Sequence, residues 1–226
     1  PNQEKFSSFL IYKMIIRGDN MMKKIIALML IFVLSISMVA CNKNKEETNG
    51  ENRVKVLNLH GESFLILNDN RNTVNLSGLI IIHVPENQMI EAGKVYTAII
   101  EDEIAESFPP QARAKSIELE NDEKPEAISF EIADSIQQHL PENSYLIDVR
   151  TEEEFDEGHI PGALLMPLDN IENEIENSDI SNDDVIIVYC RSGSRSNSAA
   201  SIIREIGYSV VLDAGGIMYY DGELEY

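Results

Sequence analysis

Cys190 is the residue whose surroundings favour chemistry. It follows an uninterrupted apolar run, residues 185–189 (VIIVY), and precedes Arg191-Ser192-Gly193-Ser194-Arg195. A helical pattern starts at Ser196. In open α/β sheets, ligands and reactive groups collect beyond the carboxyl ends of strands. Three effects favour negative charge on sulfur at such a place. Backbone N–H groups of a tight loop can converge on an anion. The amino terminus of the following helix contributes roughly half a positive charge. Arg191 and Arg195 bring formal charges, one or both near the sulfur. An ordinary thiol has a pKa of about 8.5, and such surroundings bring it to between about 3.5 and 7.5. The same cradle suits a persulfide, R–S–S⁻, because that too is an anion. Gly193 lets the loop turn through positive φ and lets backbone approach the bound group.

The elements that must position this loop alternate between helix and strand. Residues 130–140 are helical, with Ile132, Ile136 and Leu140 on one face. Residues 145–149 (YLIDV) form a short strand. Thr151 caps a helix whose first turn is Glu152-Glu153-Glu154, with acids where the helix dipole favours them. Residues 185–189 are apolar throughout, as in a parallel strand covered on both faces. Residues 196–206 form a helix with Ala199, Ile202, Ile203 and Ile206 on one face, and Gly207 ends it. Residues 210–212 form the next strand. Repeated strand–helix units predict an α/β domain over 126–226, an open parallel sheet with helices on both faces. Residues 53–120 differ. Their short apolar runs, separated by turn-forming stretches, predict a small β-rich barrel or sandwich. The charged stretch 121–125 (NDEKP) marks the boundary.

Several motifs now fall into order. They are Asp148-Val149-Arg150, Glu154-Phe155, Gly158-His159-Ile160-Pro161-Gly162-Ala163, Cys190 through Ser196, and Gly215-Gly216-Ile217. In sequence, order and spacing they resemble the rhodanese family over roughly residues 128–222. The resemblance implies a sulfurtransferase. Cys190 would take a sulfane sulfur from a small donor such as thiosulfate and pass it to a thiol or cyanide acceptor, with no cofactor. Arg191, Ser192, Gly193, Ser194 and Arg195 would form the anion cradle. Asp148, Arg150 and Glu154 read as a structural polar network at the sheet end, His159 as a turn-locking residue, and Gly215-Gly216 as a tight turn near the active loop. One departure touches substrate preference: rhodaneses often carry Trp after Gly-Gly-Ile, whereas this chain has Met218-Tyr219-Tyr220. The alternative reading is a non-catalytic or sensing module that binds sulfur species or a protein partner. Phosphatases and arsenate reductases of the same fold resemble Cys, five residues, then Arg. Here four residues separate Cys190 from Arg195, a loop that fits one added sulfur and not a tetrahedral oxyanion.

Charge narrows the partners. The first forty residues hold five of the 18 Lys/Arg and two of the 39 Asp/Glu. The remainder therefore carries 13 basic and 37 acidic side chains, a net −24. Phosphate binding needs clustered Lys and Arg, so nucleic acid is excluded as a partner, as is electrostatic docking on anionic lipid. His60 and His83 lack neighbours at ligand spacing and predict no metal site. No protein partner is named by the sequence.

Lys23-Lys24 followed by the uncharged residues 25–40 (IIALMLIFVLSISMVA) has the order of a secretory signal. Its end, Met38-Val39-Ala40-Cys41, resembles a bacterial lipobox, with Met where Leu is commoner. The resemblance implies a lipid on Cys41, a signal over 21–40 and a membrane anchor facing away from the cytoplasm. Residues 1–20 read as upstream extension, with translation starting at Met21 or Met22, and 41–52 as a flexible tether. Residues 104–114 resemble a segment from an uncharacterised, OB-like domain of Gram-positive lipoproteins. Cells fed radioactive palmitate should label the chain, and Cys41→Ser should abolish both label and membrane retention. Labelling that persists in the variant refutes the anchor.

Overall fold

Aliphatic residues alternating along five segments build the first half. The structure, a computed structural model, describes residues 51–120 and 127–226. These lie in one compact unit, Gly50–Tyr226. Cys41, the proposed signal 21–40, most of the tether 41–52 and the boundary stretch 121–125 lie outside the described residues. Strands β1 (Asn52–His60), β2 (Ser63–Ile66), β3 (Gly78–His83), β4 (Val95–Ala105) and β5 (Gln111–Glu120) close into a barrel in the order β1-β2-β3-β5-β4. Strand β4 pairs antiparallel with β1, and β3 runs parallel to β5. Val54, Val56, Phe64, Ile80, Ile82, Tyr96, Ala98 and Ile100 point inward and form the barrel core. Phe64 and Tyr96 meet edge to face at 6.4 Å, a favoured aromatic arrangement. The β-rich expectation for 53–120 thus resolves to a five-stranded barrel.

The second half reads α1 (Phe130–His139), β6 (Ser144–Asp148), α2 (Glu152–Asp156), β7 (Leu164–Leu165), α3 (Ile171–Glu176), β8 (Val185–Cys190), α4 (Ser194–Glu205) and β9 (Val210–Gly216). The strands form one parallel sheet in the order β7-β6-β8-β9. The Ser129 side chain caps α1. Thr151 and Glu154 form a capping box on α2, which satisfies two otherwise orphaned N–H groups. Strand alternation divides β8 between two cores. Val185, Ile187 and Tyr189 face α1, where Ala133 and Ile136 are buried. Ile186, Val188 and Cys190 face α3 and α4, against Ile171, Ile175, Ala199 and Ile203. Helices therefore cover both faces, as the α/β pattern requires.

The barrel does not stand apart from this sheet. Leu57, Leu59, Leu65, Leu79 and Val95 alternate with its interior residues and so point outward, yet none is more than 4% exposed. They belong to the same apolar cluster as Ala133, Ile136 and Ile187. Register makes the patch continuous: Val95 pairs with Leu57, Leu57 with Leu65, and Leu65 with Leu79. Burial of a carboxylate at its centre has no compensating partner in such an apolar patch. Leu65→Asp should lower the stability of the whole body by at least about 2 kcal/mol and keep a single melting transition. Two separate transitions in calorimetry, with the second unchanged, would show that the barrel and sheet do not share a core.

Candidate active site: the loop after β8

Cys190 ends β8 and is 1% exposed. Its place at the strand end follows from the all-apolar run before it, which the sheet buries completely. Gly193 adopts φ 101° and serves as the cap position of α4. That conformation is open to glycine and rare for other residues. The turn directs the Gly193 N–H at the sulfur, 3.1 Å away. Burial pushes the Cys190 thiol up. The N–H groups of Ser196, Gly193 and Ser192, with the Ser196 hydroxyl, more than offset it, so the thiol ends below its ordinary value. Ser196 is fully buried. Its hydroxyl donates to the Gly193 carbonyl at 3.0 Å, with the Gly215 carbonyl at 3.3 Å, and can turn to a sulfur anion.

Two arginine–carboxylate pairs brace the loop. Arg195 makes a bidentate pair with Glu154 of α2, at 2.6 and 2.8 Å. The Arg195 guanidinium holds the Glu154 carboxyl down at about 2. Glu154 in turn favours the charged guanidinium, and so does the nearby Cys190 sulfur. Asp148 and Arg150 pair at 2.6 Å within the fold, with Asp148 fully buried. Arg150 also donates to the Gly158 carbonyl at 2.8 Å. Its guanidinium lies 5.9 Å over the Tyr189 ring. The Tyr189 hydroxyl accepts the Ile160 N–H at 3.2 Å, and burial pushes that phenol up.

Beyond the sheet, Gly216 pairs with Cys190 across β8 and β9. A Cβ there would lie 2.7 Å from the Arg191 carbonyl oxygen and the Ser192 Cα, so only glycine fits. Residues 132–223 match the family model described as Rhodanese-like domain. Thiosulfate sulfurtransferase PspE of Escherichia coli strain K12 is 37% identical over 71 residues, 31% of this chain and 68% of that protein. A sulfurtransferase of Allochromatium vinosum is 38% identical over 94 residues, 41% of this chain and 80% of its own length. The chain belongs to the rhodanese-like family. YtwF of Bacillus subtilis strain 168, 40% identical over 82 residues, covers 36% of this chain and 78% of that protein. The rhodanese match begins after the barrel and leaves it outside.

The rhodanese loop brings some of the expected residues together and leaves others at its edge. Cys190, Gly193, Arg195, Gly215 and Gly216 converge, and the backbone N–H of Ser192 joins them at the sulfur although its side chain is exposed. Arg191, Ser192 and Ser194 are exposed, and among the described residues no hydrogen bond or ion pair engages the Arg191 guanidinium. The helix starts at Ser194, two residues earlier than its apolar pattern indicates, so Ser194 and Arg195 lie in its first turn. His159 is held within its own turn. Its Nδ1 donates to the Phe155 carbonyl at 3.0 Å, its ring stacks on Phe155, and its backbone pairs with Glu225. Asp148 and Arg150 form the sheet-end network. Glu154 does not join them: it reaches across to Arg195. His83 bonds Glu62 and Gln111 in the barrel, away from this loop.

Two contributors were hidden in the sequence. Ser196 sits one residue beyond the assumed cradle, and its signal was a hydroxyl on the buried face of α4. Glu154 was visible as an acid in the first turn of α2 and as a member of the sheet-end network, but its pairing with Arg195 depends on a partner 41 residues away. Ser196→Ala removes the hydroxyl donor and leaves the N–H groups. The pH at which Cys190 becomes half-reactive toward iodoacetamide should rise in this variant, while the unmodified inflection lies below the ordinary thiol value. An inflection unchanged by the substitution would remove Ser196 from the cradle.

Proposed function

We propose that this rhodanese-like chain carries a sulfane sulfur on Cys190, tethered by a lipid on Cys41 to the outer face of the cytoplasmic membrane. The observation that supports the carrier role is the cradle itself. Donors aimed at a buried sulfur stabilise a thiolate before transfer and a persulfide after it. In the first step the Cys190 thiolate attacks the outer sulfur of a donor such as thiosulfate. A new S–S bond forms, the donor's S–S bond breaks, and sulfite leaves with the electron pair. In the second step a thiolate or cyanide attacks the outer sulfur of the persulfide. The Cys190 Sγ keeps the bonding pair and returns to thiolate. Neither step needs a cofactor or a proton relay, which agrees with His159 being occupied in its turn.

Charged hydrogen bonds of the cradle contribute about 1.5–3 kcal/mol each and fade when geometry is poor. The short loop between Cys190 and Arg195 therefore favours one sulfur over a phosphoryl group. Thiosulfate treatment of the purified protein should add the mass of one sulfur atom, and cyanide should remove it. Cys190→Ser should do neither while melting as the unmodified protein does. Aryl-phosphate hydrolysis should stay at background. Sulfur loading of the serine variant, or Cys190-dependent phosphate hydrolysis, would overturn the reading. A bound sulfur species that no acceptor removes would favour a sensing module.

A further inference from the structure

We propose that the open groove between α3 and α4 docks a basic, amphipathic segment of a partner protein. The groove measures about 460 Å³ and is lined by the turn Leu168–Asn170, one side of α3 and the last turns of α4. It lies on the α3 and α4 side of the sheet, and the barrel packs on the other. None of its lining residues belongs to the sulfur site.

Helical spacing along α4 makes the apolar floor. Ala199, Ala200 and Ile203 face the sheet and are fully buried. Ile202 and Ile206 stand one turn apart beside them and stay half-buried, as does Leu168 across the groove. This is an aliphatic strip that the fold covers on one side only. The rim is acidic on both walls. Asp169, Glu172 and Glu176 stand on one and Glu205 on the other, all exposed. Their placement opposes local helix physics. Glu172 and Glu176 are one turn apart on α3, where like charges repel. Glu176 ends α3 and Glu205 ends α4, where the helix dipole favours cations. A cation bound in the groove relieves all of these conflicts together.

The described part of the chain does not supply that cation. No Lys or Arg lines the groove. Residues 127–226 hold four arginines and no lysine. Arg150 pairs with Asp148, and Arg195 with Glu154. Arg204, next to Glu205, donates to the Val211 carbonyl of β9 at 2.8 Å, and Arg191 belongs to the loop after β8. The exposed Lys94, Arg113 and Lys115 belong to the barrel, across the sheet. The pattern also defines the occupant. It must fill the strip of Leu168, Ile202 and Ile206 with apolar groups and place positive charge on both sides of them. A peptide segment with aliphatic residues on one face and Lys or Arg at its flanks does both, and the rim charges select it over acidic segments. A bare cation answers the rim and leaves the strip uncovered. Ile206 lies ten residues beyond Ser196, about 15 Å along the helix axis, so the docked segment leaves the sulfur loop open.

The test is titration calorimetry of the purified protein with acetyl-Lys-Leu-Ala-Lys-Leu-Leu-Lys-Ala-Leu-Lys-amide. Binding should be one to one and should weaken several-fold as salt rises from about 0.05 M to about 0.5 M, because screening shortens the reach of the rim charges. The same peptide with every Leu replaced by Ser should bind at least about tenfold more weakly. The variant Glu172→Gln/Glu176→Gln/Glu205→Gln should also lose at least about tenfold in affinity for the leucine peptide. Glu131→Gln/Glu142→Gln/Glu223→Gln removes the same charge from exposed positions outside the groove and should stay within about twofold of the unmodified protein. Equal binding of the serine peptide marks a simple cation site and overturns the proposal. Equal loss in the two triple variants marks general attraction to an acidic protein and overturns it too, as does an unmodified protein that binds no leucine peptide at up to about 1 mM.

Discussion

The whole active end of the molecule answers one constraint: the Cys190 sulfur is buried, so negative charge on it can be held only if donors surround it. Taking a charge out of water is strongly unfavourable unless hydrogen bonds replace the lost solvent. At Cys190 the replacement comes from N–H groups of Ser192, Gly193 and Ser196 and from the Ser196 hydroxyl. These groups are local in sequence, and they converge only if the chain bends sharply after β8. Gly193 allows the bend at φ 101°. Gly216 allows β9 to lie against it, because any Cβ would strike backbone atoms that have no rotamer to relieve them. Two glycines, one in the loop after β8 and one at the end of β9, thus serve one set of hydrogen bonds.

The same loop is braced from the β6 side by charge. Glu154 lies about one-quarter exposed and Arg195 about one-third, so solvent screens part of their attraction. The geometric consequence matters more than the energy. A bidentate pair fixes the plane of the guanidinium and with it the first turn of α4. The Asp148–Arg150 pair works differently. It is buried, and Arg150 spreads its donors over Asp148 and the Gly158 carbonyl. A buried pair of this kind contributes little net stability but is costly to break, so it specifies one arrangement of the turn at 158–163. Tyr189 then links that turn to the strand that carries the cysteine, through the bond between its hydroxyl and Ile160.

Much of this was legible because it depends on short-range pattern. The apolar run 185–189, the capping sequence at Thr151 and the amphipathic helix from Phe130 all express local periodicity. So did the cysteine loop, whose residue types specify anion binding before any fold is known. Strand β5 was harder to see. Within Gln111–Glu120 only Ala112 and Ile117 are buried, and charged Arg113, Lys115 and Glu118 mask the alternation. The Glu154–Arg195 pair is a tertiary match between two helix amino termini, and no spacing announces it. The covered outer face of the barrel did leave a trace. Residues 54–59 read Val-Lys-Val-Leu-Asn-Leu, with apolar residues on both faces, where a barrel strand facing water shows them on one. Read that way, Leu57 and Leu59 announce a second surface to be buried.

That second surface reaches the sulfur only through β8. Odd-numbered residues of the strand pack toward α1 and the barrel, and even-numbered ones toward α3 and α4. The barrel and Cys190 therefore lie on opposite faces of one strand and share no side-chain layer. Phe130, at the start of α1, packs edge to face on Tyr189 at 6.1 Å and on Tyr220 beyond β9. Tyr189 immediately precedes the cysteine, and Tyr220 immediately follows the turn Ile217–Tyr219. Phe130 therefore ties α1 both to the strand that carries the sulfur and to the segment beyond β9, while Glu154 and the Gly216 contact hold the donor loop from α2 and β9.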